Sequence, residues 1–279
     1  MPELPEVETT ARGLNQVIPE TKIQEMRIYD SRLRWPVDFN MVELVKNASI
    51  GEVLRRSKYL LIPVYKKTLQ GYMMIHLGMS GRLQVVPEGT PREKHSHLEW
   101  FLNNKQVLRY TDPRRFGSAH WLTPEEAEGP ALHPLLASLG PEPLEKSFSA
   151  QYLFDITRTR SQKIKVFIMN AHIVVGVGNI YASESLFTAG IHPERAASSL
   201  TLDECKALVK AIKATLKKAI KAGGTTLKDF QSSEGKPGYF QQELKVYGRE
   251  GLPCPNCKRE IQQKKLGQRA SFYCEHCQV

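Results

Sequence analysis

Apolar residues near the start of the chain recur at helical spacing: Leu4, Val7, Ala11, Leu14 and Ile18. That stripe predicts a helix over 3–18, with Pro5 tolerated in its first turn. From about residue 23 to 122 the period shortens. Runs of β-type residues at 59–64, 72–77, 83–86 and 98–102 are divided by turn residues. Asn103 and Asn104 then lead into a further run at 106–110, which reads as a hairpin. Many short strands with two apolar faces predict a β-sandwich with helices at its margins.

Pro130, Pro134, Pro141 and Pro143 cluster where this texture ends, a candidate hinge. Beyond it the pattern turns helical. The clearest helix runs from about 202 to 222, opened by a Thr201/Glu204 capping box and closed by Gly223 and Gly224. Its stripe is Leu202, Cys205, Leu208, Ile212, Leu216 and Ile220. Residues 225–245, rich in Gly, Ser and Thr, read as a mobile loop. The fold class is therefore α+β multidomain.

Charge divides the 279-residue chain as sharply as pattern does. Residues 1–150 carry 19 Lys+Arg against 18 Asp+Glu, whereas 151–279 carry 20 against 11, so nearly all of the net +10 lies in the second half. A basic half joined to a neutral one suits a polyanion gripped by one part and processed by the other. No apolar run is long enough to cross a bilayer, and the opening residues lack the basic and apolar regions of a signal peptide. The expectation is a cytoplasmic protein without a membrane partner.

Four of the five cysteines fall in the last 26 residues, as Cys254/Cys257 and Cys274/Cys277 separated by 16 residues. Two CxxC knuckles at that spacing suit one tetrahedral structural Zn²⁺, which would supply the folding energy that so small a module lacks. A closed four-thiolate site has no open position, so the expected ion is structural. Cys205 sits in the apolar stripe of its helix and reads as a buried small hydrophobe. Lys264, Lys265 and Arg269 lie between the knuckles, where a guanidinium on a hairpin suits phosphate contact.

The N-terminus carries chemistry of its own. Removal of Met1 exposes the secondary amine of Pro2, beside the carboxyls of Glu3 and Glu6. An α-amine titrates near 8 rather than about 10.4 as for Lys, so more of it is nucleophilic at neutral pH. The plainer reading, a proline-opened helix with acids favouring its dipole, accounts for the same residues.

The motifs MPELPEVETT (1–10), HLGMSG (76–81), YTDPRRFG (110–117), VVGVGNIYASESL (174–186), GGTTLKDF (223–230) and QRASFYC (268–274) decide between these readings. Their identity and order resemble those of the bacterial formamidopyrimidine-DNA glycosylases, nearly end to end. The resemblance implies an N-terminal catalytic β-sandwich (1–135), a linker (136–150), a helix–two-turn–helix domain (151–237) and a zinc finger (245–279). It implies a monomer acting on damaged double-stranded DNA, removing oxidised purines and then cutting the abasic strand. By motif, Pro2 is the Schiff-base nucleophile, Glu3 the acid assisting sugar opening, and Glu6 a supporting carboxylate. Lys58, in RRSKYLL (55–61), assists proton transfer in β-elimination, and Arg269 serves phosphate grip and δ-elimination.

A base within a duplex must be extruded before it can be cut, and the gap must be filled. The resemblance gives that task to Met79, Arg114 and Phe116, and further DNA contacts to His95, Arg160, Lys165 and Asn179. One departure stands out: Ile168-Met-Asn170 replaces the family's Leu-Met-Asp. Two other readings remain to be separated by experiment: a damage-sensing protein without turnover, and the related endonuclease VIII type, which prefers oxidised pyrimidines.

Overall fold

The computed structural model describes residues 2–224 and 244–279, and the chain divides into two units. The first is Met1–Ser138 with Gly223–Tyr239; the second is Leu139–Ala222 with Phe240–Val279.

The first unit opens with helix α1 (Leu4–Leu14), shorter than its apolar stripe implies. Ile18 is still fully buried, but the chain leaves the helix at Asn15. The Asn15 side chain accepts from Val53 N–H at 2.7 Å and donates to its carbonyl at 2.9 Å. That local pairing competes with another helical turn, and Pro19 forbids a longer one. After β1 (Ile23–Ile28) and the short helix α2 (Met41–Val45) come β2 (Ser49–Ile50), β3 (Leu54–Arg56), β4 (Tyr59–Lys66), β5 (Thr68–His76), β6 (Arg82–Pro87), β7 (Ser96–Leu102), β8 (Gln106–Thr111) and β9 (Ser118–Leu122).

These strands make two antiparallel sheets. One has the order β1-β7-β8-β6; in the other β2-β4-β5-β9 is joined by β3, which also pairs with β4. The expected hairpin is present, with Phe101 opposite Val107 across a turn containing left-handed Lys105 (φ 60°). Trp100, Tyr110, Ile62, Ile75 and Leu98 bury fully in a core shared with α1 through Val7 and Leu14. The expected sandwich is borne out. One-turn helices α3 (Pro124–Ala127) and α4 (Pro134–Ala137) follow, each with proline at its start.

The second unit is helical: α5 (Ala150–Thr157), α6 (Ile164–Ile168), α7 (Asn179–Ala189) and α8 (Leu202–Lys221). Helix α7 is its centre, with buried residues all around it from Ile180 to Phe187, and α8 packs along it. Helix α8 has the predicted capping box at Thr201 and Glu204 and buries Cys205, Leu208, Ile212 and Leu216. Burial pushes the Cys205 thiol up to about 11, as befits a core residue. The unit ends in a hairpin of β10 (Gln262–Leu266) and β11 (Arg269–Tyr273). Of the glycine-rich segment 225–245 only the last two residues lie within the described chain. No described helix is long and apolar enough to cross a membrane.

Candidate active site and metal centre

In the first unit the candidate nucleophile Pro2 immediately precedes Glu3, the N-cap of α1. Pro2 is buried, as are Glu3 and Glu6. The Glu3 N–H donates to the Glu6 carboxylate at 2.8 Å, which fixes the turn that aims residue 2. Farther along α1, Glu8 accepts from Arg12 and from Arg55 on β3, both at 2.8 Å. Burial alone would raise the Glu8 carboxyl, but hydrogen bonds and charge from Arg55 and Arg12 hold it below the ordinary value. The Arg55 guanidinium also donates to the Ser57 carbonyl at 3.0 Å. Ser57 (φ 58°) and Lys58 form the tight β3–β4 turn, so one arginine fastens the Lys58 turn to the helix that carries Pro2.

The expected void-filling residues occupy two loops that share one buried carboxylate. Asp112, fully buried, accepts from Ser80 Oγ at 2.7 Å, the Gly117 N–H at 2.8 Å and Tyr110 Oη at 3.3 Å. A Cβ on Gly78 (φ 63°) would lie 2.4 Å from Gly117 N, so the two loops touch backbone to backbone. Met79 is half-buried on one loop; Arg114 and Phe116 are exposed on the other. The Arg114 guanidinium lies 4.9 Å from the centre of the Phe116 ring. Arg115 between them (φ 57°) turns away and pairs with Asp30 at 2.7 Å. Asp112 escaped the sequence reading although it lies within the quoted motif. An acid between a β-run and a proline looks like a turn former, and nothing local reveals its burial.

His76 closes this region. Its Nδ1 accepts from the Gly78 N–H at 3.0 Å. Burial, then the positive charges of Lys58 and Arg34, depresses its pKa to about 4, so the ring is neutral at neutral pH. His95 is half-buried, and its carbonyl accepts from Asp112 N–H at 3.0 Å. The buried His97 contacts the Asp112 carbonyl through Nε2 at 2.9 Å. Neither histidine belongs to a possible metal cluster among the described residues.

The second unit holds the remaining candidates. Lys165 on α6 is buried. Its ammonium donates to Asn179 Oδ1 at 2.6 Å, Ser271 Oγ at 2.6 Å and the Ala270 carbonyl at 3.1 Å. Asn179 donates in turn to Ala270 at 2.9 Å. Asn179 begins α7 just beyond Gly176 (φ 76°), and this network ties it to the strand that carries Arg269. Gly267 (φ 51°) and Gln268 (φ 64°) form the two-residue hairpin turn that sets Arg269 at the exposed tip. No ion pair holds Arg269 among the described residues, whereas Lys264 is committed to Glu194 at 2.7 Å. Arg160 is exposed in the turn after α5. Asn170 caps a turn through its side-chain oxygen, which accepts from His172 N–H at 3.0 Å. An amide oxygen accepts there as a carboxylate would, so the departure from the family pattern does not deprive His172 N–H of its acceptor.

The four Sγ atoms of Cys254, Cys257, Cys274 and Cys277 lie within 4.8 Å of one another, with pairs at 3.4 and 3.9 Å, and none is in a disulfide. A tetrahedral zinc with sulfurs at about 2.3 Å requires sulfur separations of about 3.8 Å, so the cluster fits one Zn²⁺. A second anchor was also missed from sequence. The buried Glu184 carboxylate on α7 accepts from the N–H groups of Lys245, Val246 and Tyr247, each at 2.9 Å. It pins the segment entering the finger, whose small core is Phe187, Val246, Ile261 and Phe272 around the cysteines.

Comparison with known proteins accords with this architecture. Residues 1–119 match the formamidopyrimidine-DNA glycosylase N-terminal domain and 139–231 its H2TH domain. Residues 251–279 match the zinc finger found in FPG and IleRS. Sandwich, helical unit and four-cysteine finger thus define a zinc-finger DNA glycosylase of base-excision repair. Formamidopyrimidine-DNA glycosylases of Hydrogenovibrio crunogenus and Salmonella paratyphi C are 52% and 51% identical over 278 residues, covering all of this chain and 96% and 100% of theirs. The crystal structure of MutM (Fpg) from Thermus thermophilus matches with TM-score 0.86 and 34% identity, covering 99% of this chain and 98% of that one. A Lactococcus lactis Fpg complexed with abasic-site DNA matches with TM-score 0.90 and 32% identity, covering 99% of both chains. The chain belongs to the formamidopyrimidine-DNA glycosylase family.

Proposed function

We propose that this protein, acting as a monomer, excises 8-oxoguanine and formamidopyrimidines from duplex DNA and then cleaves the abasic strand. The observation that carries this reading is the Pro2–Glu3–Glu6 helix start, joined through Glu8 and Arg55 to the turn bearing Lys58. The structure of a 32% identical relative with abasic-site DNA supports it.

After loss of Met1, the neutral Pro2 amine attacks C1′ of the everted nucleotide. The C1′–N9 bond breaks, its electron pair and a proton leave with the base, and Glu3 protonates the ring oxygen as the sugar opens to an iminium. Electron withdrawal by the iminium acidifies C2′. Proton loss there, assisted by Lys58, expels the 3′ phosphate; δ-elimination, with Arg269 on the phosphate, expels the 5′ phosphate. Water then releases the sugar fragment and restores the amine. Glu6 holds the first turn in place. Met79 and Phe116 fill the vacated stack and Arg114 bonds the orphaned base, while His95, Arg160 and Asn179 contact the backbone. Lys165 acts through Asn179, which it orients. Zn²⁺ holds the finger and takes no chemical step.

The proposal assigns these tasks to a catalytic domain at 1–135, a linker at 136–150, a helix–two-turn–helix domain at 151–237 and a zinc finger at 245–279. Comparison of excision from 8-oxoguanine and thymine-glycol duplexes tests the lesion class. Faster turnover of 8-oxoguanine is expected, and preference for thymine glycol would reassign the chain to the endonuclease VIII type. Tight binding of damaged duplex with no turnover, once a free Pro2 is verified by mass, would mark a sensor.

A further inference from the structure

The β1-β7-β8-β6 sheet of the first unit carries a buried ion pair on the face that turns away from the core. Leu98 and Trp100 on β7, with Leu108 and Tyr110 on β8, are fully buried inside the sandwich. Glu99 and Arg109, lying between them and directly paired across the strands, therefore project from the opposite face. Such a face ordinarily meets water. Both side chains are nevertheless only 4% exposed, with Arg109 Nε 2.6 Å from the Glu99 carboxylate. The loop between β6 and β7, residues 88–95, folds back over them. Arg109 donates through Nη1 to the Pro91 carbonyl at 3.0 Å and through Nη2 to the Thr90 carbonyl at 2.8 Å.

The second Glu99 oxygen accepts from Tyr29 Oη at 2.8 Å. The Arg92 guanidinium lies 4.4 Å from the centre of the Tyr29 ring, and its Nη1 donates to the Ser96 carbonyl at 3.1 Å. Arg82 on β6 pairs with Glu93. The loop is thus fastened on both sides of His95, at residues 90, 91 and 93 before it and at 96 after it. A buried ion pair is seldom worth more to stability than apolar side chains of like volume. Apolar residues would cover this sheet equally well, but they could not donate to two loop carbonyls. We infer that Arg109, held by Glu99, is a positioning residue that sets the 88–95 loop so that His95 meets the DNA backbone. This inference rests on the reading of His95 as a backbone contact.

The test is a double-mutant cycle in the whole zinc-loaded protein, read as affinity for duplex bearing an uncleavable abasic analogue. Arg109→Met/Glu99→Leu replaces the pair by apolar side chains and should melt near the parental temperature. It should speed amide exchange in residues 88–95 and weaken duplex binding about five- to tenfold, the scale of one hydrogen bond to a charged group. Strand cleavage at saturating duplex should keep the parental rate, so that KM rises while kcat holds. Arg109→Lys, which keeps a cation beside Glu99 but loses the planar fork, repeats the experiment in a chain whose charges still balance. His95→Ala should weaken binding by a similar factor, and either Arg109 variant added to it should cost little more, since the loop then has nothing to position. Parental affinity in both Arg109 variants would overturn the inference, as would a full further loss in the His95→Ala background. Parental affinity of His95→Ala by itself would remove the backbone contact, and the inference with it.

Discussion

The two units hold their functional side chains by different means. In the first, the Pro2, Lys58 and Phe116 segments rest on a two-sheet core; the half-buried Arg55 ties the Lys58 turn to α1, and the buried Asp112 locks loop to loop. In the second, the Arg269 hairpin has only a handful of apolar residues beneath it. It is held by four thiolates, by the Glu184 carboxylate and by the Lys165 ammonium. The candidate chemistry thus sits on a sandwich that folds by burying surface, and the candidate grip sits on a finger that, within an otherwise apolar helical unit, depends on metal and charge. The second should be the one that metal removal or charge neutralisation dismantles.

Metal removal should have the largest effect. Chelation, or Cys277→Ser, should forfeit metal-coupled folding on the order of 10 kcal/mol in the finger. Calorimetry should then show the sandwich transition intact and lesion cleavage abolished; full activity after verified zinc loss would refute the division. Next, Asp112→Asn and Glu184→Gln should each cost about 2–3 kcal/mol, the range for hydrogen bonds to a buried charge. The first should lower the sandwich transition alone; the second should speed amide exchange only at residues 245–247 and in the finger. Cross-effects between them would show the units to be one cooperative body.

A smaller loss is expected of Arg55→Ala. By releasing the Lys58 turn it should lower the strand-cleavage rate about tenfold to a hundredfold, the scale of a 1 Å misplacement. Affinity for abasic duplex should change little, and Arg55→Lys should recover only part of the rate because it cannot reach Glu8 and Ser57 together. An unchanged rate in Arg55→Ala would remove the brace from the account.

The smallest effect concerns His76. Its folded pKa of about 4 lies below the ordinary 6.5. Above about 6.5 both folded and unfolded forms are neutral and its contribution is complete. As pH falls toward 4 the unfolded chain takes up a proton that the folded one refuses, so stability declines across that window. His76→Gln should flatten the decline in chemical denaturation; an unchanged slope would assign it to other groups.

Much of this was legible in the sequence because it depends on period and spacing. The strand runs, the capped helix over Leu202–Lys221 and the paired CxxC knuckles each announce themselves locally. Helix α1 ended early because Asn15 pairs with Val53, a contact 38 residues away that no local pattern encodes. Asp112 and Glu184 escaped notice, and the burial of the Lys165 ammonium was not foreseeable, for the same reason. A charged residue reads as surface until the fold surrounds it with donors or acceptors. The candidate nucleophile was legible only through the company of distant motifs, since Pro-Glu at a helix start is ordinary capping.

The most direct test combines intact mass of the purified protein with borohydride reduction on 8-oxoguanine duplex, followed by mapping of the adducted peptide. The account predicts a chain lacking Met1 and a stable protein–DNA adduct on the N-terminal peptide, at the Pro2 nitrogen. Strand cleavage at full rate by protein with a blocked N-terminus, or an adduct on Lys58 in its place, would contradict it.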